Sequence, residues 1–400
     1  MYYIPQIGQY DCGFACLKMM LAHVHHDKNY LYLPFRERNQ PFSYQQLSNI
    51  ASQHHLELIG FKVESENEIL NNREFPLLVS LNYEGNNKHA ALVSEIKGKT
   101  AKIIDPEKGI YHMRLNKFFT LWDKSGLLIK SFERTPCSFI YQNQLKRKDY
   151  VLPFICQIMT AVCGILAVYF ITSNVPPFIP IILLVAFIFF EILLRSNLFQ
   201  TMRKVDDEVV ESAVVKSKEY SAFHQRLEKY KLTAIATPLK FLYAFLVSAF
   251  LIFVVIINDP RNIFLIFAPA ILAFADAFYV LPNLKKREES ILINERVLVL
   301  SKDIESFRQR EKTIHEKAYR FGRLTLIKKY SFIFLMLLAT CGVMIINQFF
   351  SIPYVVFYLC IEFALYTELK SLFSFPEEKK EYLRAQVSLV NIVHQNDEII

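Results

Sequence analysis

The pattern of hydrophobic and polar positions changes near residue 150. In residues 1–150 polar and apolar side chains are interspersed, and no apolar run approaches the roughly 20 residues that a membrane-spanning helix needs. From Val151 onward, long apolar blocks alternate with charged segments. The pattern predicts an amino-terminal globular domain followed by a helical membrane domain.

Six apolar stretches are long enough to cross a bilayer and fall into three pairs, each joined by a short turn. They cover residues 151–172, 176–194, 241–258, 263–284, 331–350 and 353–371. Long charged segments, 195–240 and 285–330, separate the pairs. We therefore expect a six-span domain over 151–372, preceded by a linker at 136–150 and followed by a tail at 373–400.

The distribution of basic residues predicts the orientation of these spans. Lys and Arg concentrate in the amino-terminal half, the long charged segments and the tail, whereas Arg261 is the one basic residue of the short turns. Because cytoplasmic loops carry the excess of Lys and Arg, the long segments are expected inside the cell and the short turns outside. Both termini are then cytosolic, which agrees with an opening sequence that lacks the features of a signal peptide, MYYIPQIGQYDCG.

The two long charged segments are predicted to be helical. They are rich in helix formers and acid–base pairs, and neither 205–231 nor 285–320 contains Pro or Gly. About 45 residues can form two helical legs of roughly 30 Å each. They are either solvated hairpins or extensions of the spans that reach a partner, and their regular pattern favours the second interpretation.

Composition excludes several classes of protein. The chain is 52% hydrophobic, with a mean hydropathy of +0.21 and 35 Phe against 10 Gly, which argues against a single soluble globule, collagen or a disordered chain. Seven cysteines in 400 residues are too sparse for a disulfide scaffold. The net charge is +8, but no nucleic-acid motif is present, and the basic run 146–148 is better explained as a lipid-headgroup anchor.

Cys12 is the first candidate for chemistry. The residues from Gly13 onward predict a helix with a broad apolar face, with Asp11 as its N-cap and Cys12 at the first helical position. The partial positive charge of a helix start favours thiolate over thiol. Taken alone, such a cysteine is more often a small buried residue, and Cys16, one turn later, is interpreted as core.

His89 and Asp105 are the second candidate. Residues 89–96 and 99–105 predict two strands around a turn at Lys97-Gly98. His89 begins the first strand and Asp105 ends the second, so an antiparallel hairpin brings them together. Asp105 is then able to accept a hydrogen bond from one ring nitrogen while the other nitrogen faces a thiol, the usual relation of nucleophile, base and orienting acid.

Two further groups of residues admit a functional interpretation. Five histidines suggest metal binding: His23, His25, His26, His54 and His55. Adjacent histidines point to different faces, however, and no Cys or carboxylate at a suitable spacing completes a site. No metal is therefore expected. Asp276 and Glu362 lie inside predicted spans. They either line a path for a basic peptide or are satisfied by neighbouring helices.

The amino-terminal motifs resemble the cytosolic peptidase domain of bacteriocin-processing ABC exporters, which remove leader peptides after a double glycine. The resemblance covers residues 1–135 and includes the full pattern Q-x-x-Q-x-D-C-G and the separation of 16 residues between His and Asp. The matching residues are Gln6, Gln9, Asp11, Cys12, Gly13, His89, Asp105, Pro106 and Gly109. It implies an α+β papain-like cysteine peptidase domain, followed by an all-α six-helix ABC exporter transmembrane domain.

The resemblance also implies roles by position. Cys12 attacks the scissile carbonyl, His89 activates the thiol and protonates the leaving amine, and Asp105 orients His89. The Gln6 side-chain amide and the Cys12 backbone N–H form the oxyanion hole. The implied substrate is a precursor peptide whose leader helix docks through its apolar face and ends in Gly-Gly, with a narrow channel that admits only glycine next to the cut.

The remainder resembles the membrane half of a type I ABC exporter, in a bacterial cell membrane, but one expected part is missing. No G-x-x-x-x-G-K-[ST] motif occurs, so no ATP site of the phosphate-loop type is expected in this chain. We expect no cofactor in the chain itself, and ATP and Mg²⁺ on a separate ATPase subunit. The alternatives are that the sequence is truncated, that the protein is a leader peptidase without transport, or that it is a non-enzymatic leader-binding receptor or immunity protein. Because a half-transporter encloses a pathway only in pairs, a homodimer or heterodimer is expected.

Overall fold

The computed structural model of the protein divides by internal contacts into two units. One comprises Met1–Lys146, Thr201–Ile235 and Glu378–Ile400, and the other Arg147–Gln200 and Ala236–Glu377. The structure describes residues 1–8, 10–35, 40–64, 69, 75–83, 87–141, 148–172, 176, 178–213, 220–258, 260–280, 304–346 and 352–393. Parts of the predicted turns, of the linker and tail, and of the charged segment 285–330 lie outside these residues.

The first unit is built around a six-stranded antiparallel sheet with the order β1-β6-β2-β3-β4-β5. The strands are β1 (Leu56–Lys62), β2 (Leu77–Tyr83), β3 (Asn87–Lys97), β4 (Thr100–Asp105), β5 (Gly109–Arg114) and β6 (Trp122–Phe132). The middle strands are rich in Val, Ile and Leu, as expected of a sheet that is buried on both faces.

Among the described residues of this unit, three α-helices accompany the sheet: α1 (Cys12–Val24), α2 (Tyr44–Gln53) and α3 (Leu115–Leu121). Helix α2 begins with a capping box, in which Ser43 accepts from the Gln46 N–H and the Gln46 side chain accepts from the Ser43 N–H. Helix α1 is buried along nearly its whole length. It therefore has the apolar surroundings that its broad hydrophobic face predicts.

Separate hydrophobic cores cover the two faces of the sheet. On one face α1 and α2 pack against Leu78, Leu92 and Ile104. On the other face Phe118 and Trp122 stack, with ring centroids 5.4 Å apart, over a layer contributed by β2, β3 and β4. The period-2 alternation of a strand places neighbouring residues in opposite cores, and this alternation fixes the register of the central strands.

Gly126, in β6, is a position where any side chain conflicts with the sheet. An added Cβ would overlap the Leu78 carbonyl oxygen and lie 2.8 Å from Phe61 Cζ. We expect Gly126→Ala to lower the free energy of unfolding of the full chain by about 1–3 kcal/mol, because the neighbouring strand must shift. Chemical denaturation measures the change. Gly60→Ala on β1 is the control, since its added Cβ meets only Leu127 Cδ2, at 4.0 Å; an equal loss in both variants would contradict this explanation.

The rest of the chain is mainly helical. Its helices are α4 (Lys148–Thr172), α5 (Phe178–Ala213), α6 (Tyr220–Asn258), α7 (Phe264–Ala275), α8 (Ile304–Ile346) and α9 (Ile352–Val393). Helices α5 and α6 continue well beyond the apolar blocks into the charged segment 195–240, and α9 continues through Pro376 into the predicted tail. The last predicted span and the tail as far as Val393 are thus one helix.

Three of these helices contain a segment long and apolar enough to cross a membrane. The segments are Phe178–Asp206, Phe223–Ile256 and Gly322–Ile345. They overlap the second, third and fifth apolar stretches of the sequence, and they support association of this part of the chain with a membrane. The spans at 151–172, 263–284 and 353–371 stay predictions.

Asp276 and Glu362, the acidic residues considered above, have polar neighbours. Asp276 is fully buried; its carboxylate contacts Lys328, lies 2.9 Å from Lys370 Nζ and accepts a 2.6 Å hydrogen bond from the Tyr366 hydroxyl. Glu362 accepts a hydrogen bond from Thr340 at 3.0 Å. The sequence left two interpretations open for these carboxylates. The contacts favour the one in which polar groups of neighbouring helices bond them, most clearly for Asp276.

Candidate active site

Cys12 is the first residue of α1, at the helix start where the sequence places it, and it is 7% exposed. Asp11 holds the N-cap position, but its side chain makes no capping bond to the helix. Instead its carboxylate accepts from the Ile7 and Gly8 N–H groups, at 2.8 and 3.1 Å. The prediction that Asp11 is the N-cap of α1 is confirmed by its position, but its carboxylate secures the loop before the helix and does not bond the helix start.

Burial has a measurable consequence for Asp11. It raises the pKa of the carboxyl above its usual value, although the hydrogen bonds from Ile7 and Gly8 oppose this effect. The loop that Asp11 secures contains Gln6, so the N-cap residue contributes to the site by holding the chain immediately upstream of Cys12.

His89 and Asp105 lie on adjacent strands, β3 and β4, of the hairpin that the sequence predicts. The ladder pairs Lys97 with Thr100 next to the turn and Leu92 with Ile104 farther along, with an irregularity between Val93 and Glu95. At the far end of the hairpin, His89 Nε2 lies 2.8 Å from Asp105 Oδ1. The bond leaves the other ring nitrogen, Nδ1, for a second partner.

Asp105 is fully buried and is held by several donors. Besides His89, its Oδ1 accepts from the Glu107 and Lys108 N–H groups, at 2.8 and 3.0 Å, and its Oδ2 accepts from the Tyr111 hydroxyl at 3.4 Å. Burial alone would raise the pKa of Asp105, but the hydrogen bonds and the charge of His89 hold it below its usual value. The carboxylate is thus a fixed negative charge beside the imidazole.

The environment of His89 favours its protonated form. Burial alone would lower its pKa, but hydrogen bonds to Asp105 and to the Cys12 side chain, with the charges of both groups, raise the pKa to about 10. The imidazole therefore carries a proton at neutral pH that it can donate. Thiol, imidazole and carboxylate are in contact in the order that general acid–base chemistry on a sulfur nucleophile requires.

Gln6 lies in the loop before α1 and is tied to the turn that follows Asp105. Its N–H donates to the Pro106 carbonyl at 3.1 Å, and the Tyr3 hydroxyl donates to the same oxygen at 3.3 Å. Gln6 Oε1 is buried and has no hydrogen-bond partner among the described residues. Gln9, the second glutamine of the motif, lies outside the described residues.

The structure adds a residue that the sequence interpretation missed. Tyr111 is two residues after Gly109 on β5 and reaches the Asp105 carboxylate from the neighbouring strand. The alternation of β5 carried a signal for it, because Asp105 pairs with Gly109 and Tyr111 lies on the same face of the strand. Pro106, which the resemblance already includes, contributes its carbonyl oxygen as the acceptor for the Gln6 N–H and the Tyr3 hydroxyl.

No metal site is apparent in the portion of the chain that the structure describes, where no three His, Cys, Asp or Glu side chains form a group able to hold an ion. Two of the histidines considered above have other contacts. His25 Nδ1 accepts from the Thr135 N–H at 3.2 Å, and its ring stacks on Tyr30, while His54 meets Tyr30 edge-on. Cys16 is fully buried in the core, as predicted.

Comparison with solved structures finds peptidase domains, one of which is described as a double glycine motif protease. The chain is 25% identical to a double glycine motif protease from an AMS/PCAT transporter in complex with its leader peptide, with a TM-score of 0.27, over 32% of this chain and 89% of that one. It is 18% identical to the peptidase domain of Streptococcus mutans ComA, with a TM-score of 0.27, over 33% of this chain and all of that one. No curated protein matches the chain. Residues 1–134 match the model of the Peptidase C39 family, and the amino-terminal part of the chain is therefore similar to the domains of that family.

Proposed function

We propose that this protein is a cysteine endopeptidase that removes a double-glycine leader from a ribosomally made peptide of the bacteriocin or pheromone type. The observation that carries the proposal is the contact of Cys12, at a helix start, with the His89–Asp105 pair in a domain that matches the model of the Peptidase C39 family. The solved double-glycine motif protease from an AMS/PCAT transporter supports the choice of substrate class.

In the proposed reaction, Cys12 Sγ attacks the carbonyl carbon of the glycine that ends the leader, with its proton on His89. The carbonyl oxygen becomes an oxyanion, which the Cys12 backbone N–H and the Gln6 side-chain amide stabilise. The C–N bond then breaks as His89 gives its proton to the leaving amine, and the mature peptide departs. Water next attacks the thioester, with His89 as base, and frees the leader acid and the Cys12 thiol.

Asp105 has two roles in the proposed reaction, one electrostatic and one in orienting His89. Its buried carboxylate holds the Nε2 proton of His89, so the reactive nitrogen on the Cys12 side is Nδ1. It also stabilises the imidazolium form, which is needed when the amine leaves.

We further propose that the helical part exports the mature peptide across a bacterial cell membrane, as a homodimer or heterodimer of six-span domains. ATP, with Mg²⁺, would be hydrolysed by a nucleotide-binding subunit that is not part of these 400 residues. The three apolar segments at 178–206, 223–256 and 322–345 support the membrane location. Copurification of an ATPase with the full chain, and ATP-dependent uptake of the mature peptide into inverted vesicles, test transport separately from cleavage.

Substrate selection gives the test of the peptidase proposal. With the full chain in detergent, a precursor ending its leader in Gly-Gly is expected to be cut once, directly after the second glycine. Replacing that glycine with valine is expected to reduce kcat/KM about 10²-fold or more, because an added side chain must fit a site shaped for none. Mass spectrometry of the products identifies the cut.

The matched control keeps Gly-Gly and carries a valine two residues after the cut. Cleavage of the Gly-Val precursor at the control rate would contradict the double-glycine assignment. Binding of the leader without cleavage by the wild-type chain would favour the non-enzymatic receptor instead.

A further inference from the structure

The carboxyl-terminal turns of α9, residues 378–393, pack on the amino-terminal domain. Val387 is 2% exposed and belongs to the same hydrophobic core as α1 and α2. Ala385 and Leu389 are also buried. The match to the peptidase family ends at residue 134, so this packing adds to the domain a piece of chain that lies more than 240 residues beyond the match.

Buried polar side chains fix the position of this helical segment. Asn391 is 2% exposed, and its Oδ1 accepts from the Phe35 N–H at 2.7 Å. Gln386 is 3% exposed, accepts from the Tyr32 hydroxyl at 3.2 Å and donates to the Tyr141 hydroxyl at 2.5 Å. Buried polar groups are costly unless paired, so these bonds specify one register of the helix on the domain.

Arg384, on the same segment, reaches the candidate active site. Its Nε donates to the Gln6 carbonyl oxygen at 3.1 Å, and its Nη1 bonds Glu381 Oε1 at 2.8 Å, which orients the guanidinium. Glu381 in turn lies 3.2 Å from Lys229 Nζ. The Arg384 side chain is 27% exposed, so it is anchored by these bonds more than by burial.

The Gln6 residue is therefore held from both sides. Its N–H is bonded to the Pro106 carbonyl, next to Asp105, and its C=O is bonded to Arg384. Gln6 Oε1 has no partner of its own among the described residues. Both backbone polar groups of Gln6 are thus bonded, and these two bonds hold the residue that carries the side-chain amide.

We propose that Arg384 is a positioning residue, which holds the Gln6 amide where it can stabilise the oxyanion. Residues 378–393 are then a segment of the peptidase that its activity requires. The proposal rests on the proposed function. A charge-assisted bond to a backbone carbonyl is among the stronger hydrogen bonds. A displacement of about 1 Å in such a donor costs on the order of 10² in rate.

The kinetic test uses the full chain and a Gly-Gly precursor. Arg384→Ala is expected to lower kcat about 10-fold to 10²-fold with KM changed less than about 2-fold, because the oxyanion forms only after the substrate is bound. Arg384→Lys, which keeps a cationic donor, is expected to restore part of the loss. Lys379→Ala is the control, an exposed residue on the same helix, and should behave as wild type.

A double-mutant cycle distinguishes positioning of Gln6 from a general structural effect. Gln6→Ala alone is expected to cost about 10²–10³ in kcat. Adding Arg384→Ala to Gln6→Ala should cost little more, since the donor that Arg384 positions is already gone. If Arg384→Ala is as harmful in the Gln6→Ala background as in the wild type, the positioning role is overturned.

Hydrogen exchange tests whether Arg384 holds the loop that contains Gln6, independently of any cleavage. In Arg384→Ala the amides of Gln6, Ile7 and Gly8 should exchange faster, whereas in Lys379→Ala they should not. Unchanged exchange of these amides in Arg384→Ala contradicts the positioning role of Arg384. A wild-type chain that cuts no Gly-Gly precursor contradicts the proposed function instead, so the two failures are distinguishable.

Discussion

Replacement of Cys12 with alanine is expected to lower kcat for a double-glycine precursor by about 10⁴-fold to 10⁶-fold, the largest effect of any substitution in this chain. Cys12 supplies the attacking sulfur, and no neighbouring group in the described site replaces it. The precursor is followed by mass spectrometry over time. Affinity for the leader is expected to change little, since the resemblance implies that the leader docks through its apolar face and not through the thiol.

Cys16→Ala is the matched control for this prediction. Cys16 lies one turn along α1 but is fully buried in the core, so its removal should reduce stability slightly and leave cleavage intact. Persistent cleavage by Cys12→Ala, or its loss in a folded Cys16→Ala, would contradict the assignment of the nucleophile.

Replacement of Asp105 with asparagine is expected to change both the rate and its dependence on pH. Near neutral pH, kcat should fall about 10⁴-fold, because an amide does not hold His89 in one protonated orientation. In the wild type, the alkaline fall in activity should come as pH rises toward 10, where His89 loses its proton and no longer donates to the leaving amine.

The sign of the pH shift follows from the charge that is removed. The hydrogen bond and charge of Asp105 raise the pKa of His89, so their loss lowers it, and the alkaline fall in kcat should move down by roughly 1–3 units. Glu107→Gln is the control, an exposed residue of the same turn that contributes its N–H to Asp105. An alkaline limb at the same pH in Asp105→Asn and wild type would show that this carboxylate does not set the pKa of His89.

The local parts of the candidate site were predictable from the sequence. The helix start at Cys12 follows from the apolar run after Gly13, and the hairpin of His89 and Asp105 follows from two β-rich runs around Gly98. Because an antiparallel hairpin brings its two open ends together, the contact between His89 and Asp105 required no knowledge of the rest of the fold. The catalytic roles themselves stay predictions, as does the oxyanion role of Gln6.

Other features depended on the tertiary structure. The Asp11 side chain bonds the preceding loop instead of the helix start, because the chain turns back over it between Ile7 and Asp11. Arg384 is 378 residues from Gln6, and a single arginine on a polar helix carries no local signal of such a contact. Likewise, hydropathy identifies apolar stretches, but it does not show that α9 continues through Pro376 as one helix.

Covalent labelling tests the central claim most directly. A leader peptide whose terminal Gly-Gly carries a chloromethyl ketone should alkylate the Cys12 sulfur of the full chain, with loss of HCl, and should block cleavage in proportion to labelling. The account predicts one adduct, found by mass spectrometry on the peptide that contains Cys12, and much slower labelling in Asp105→Asn. An adduct on another residue, or full cleavage by chains whose Cys12 is labelled, would contradict it.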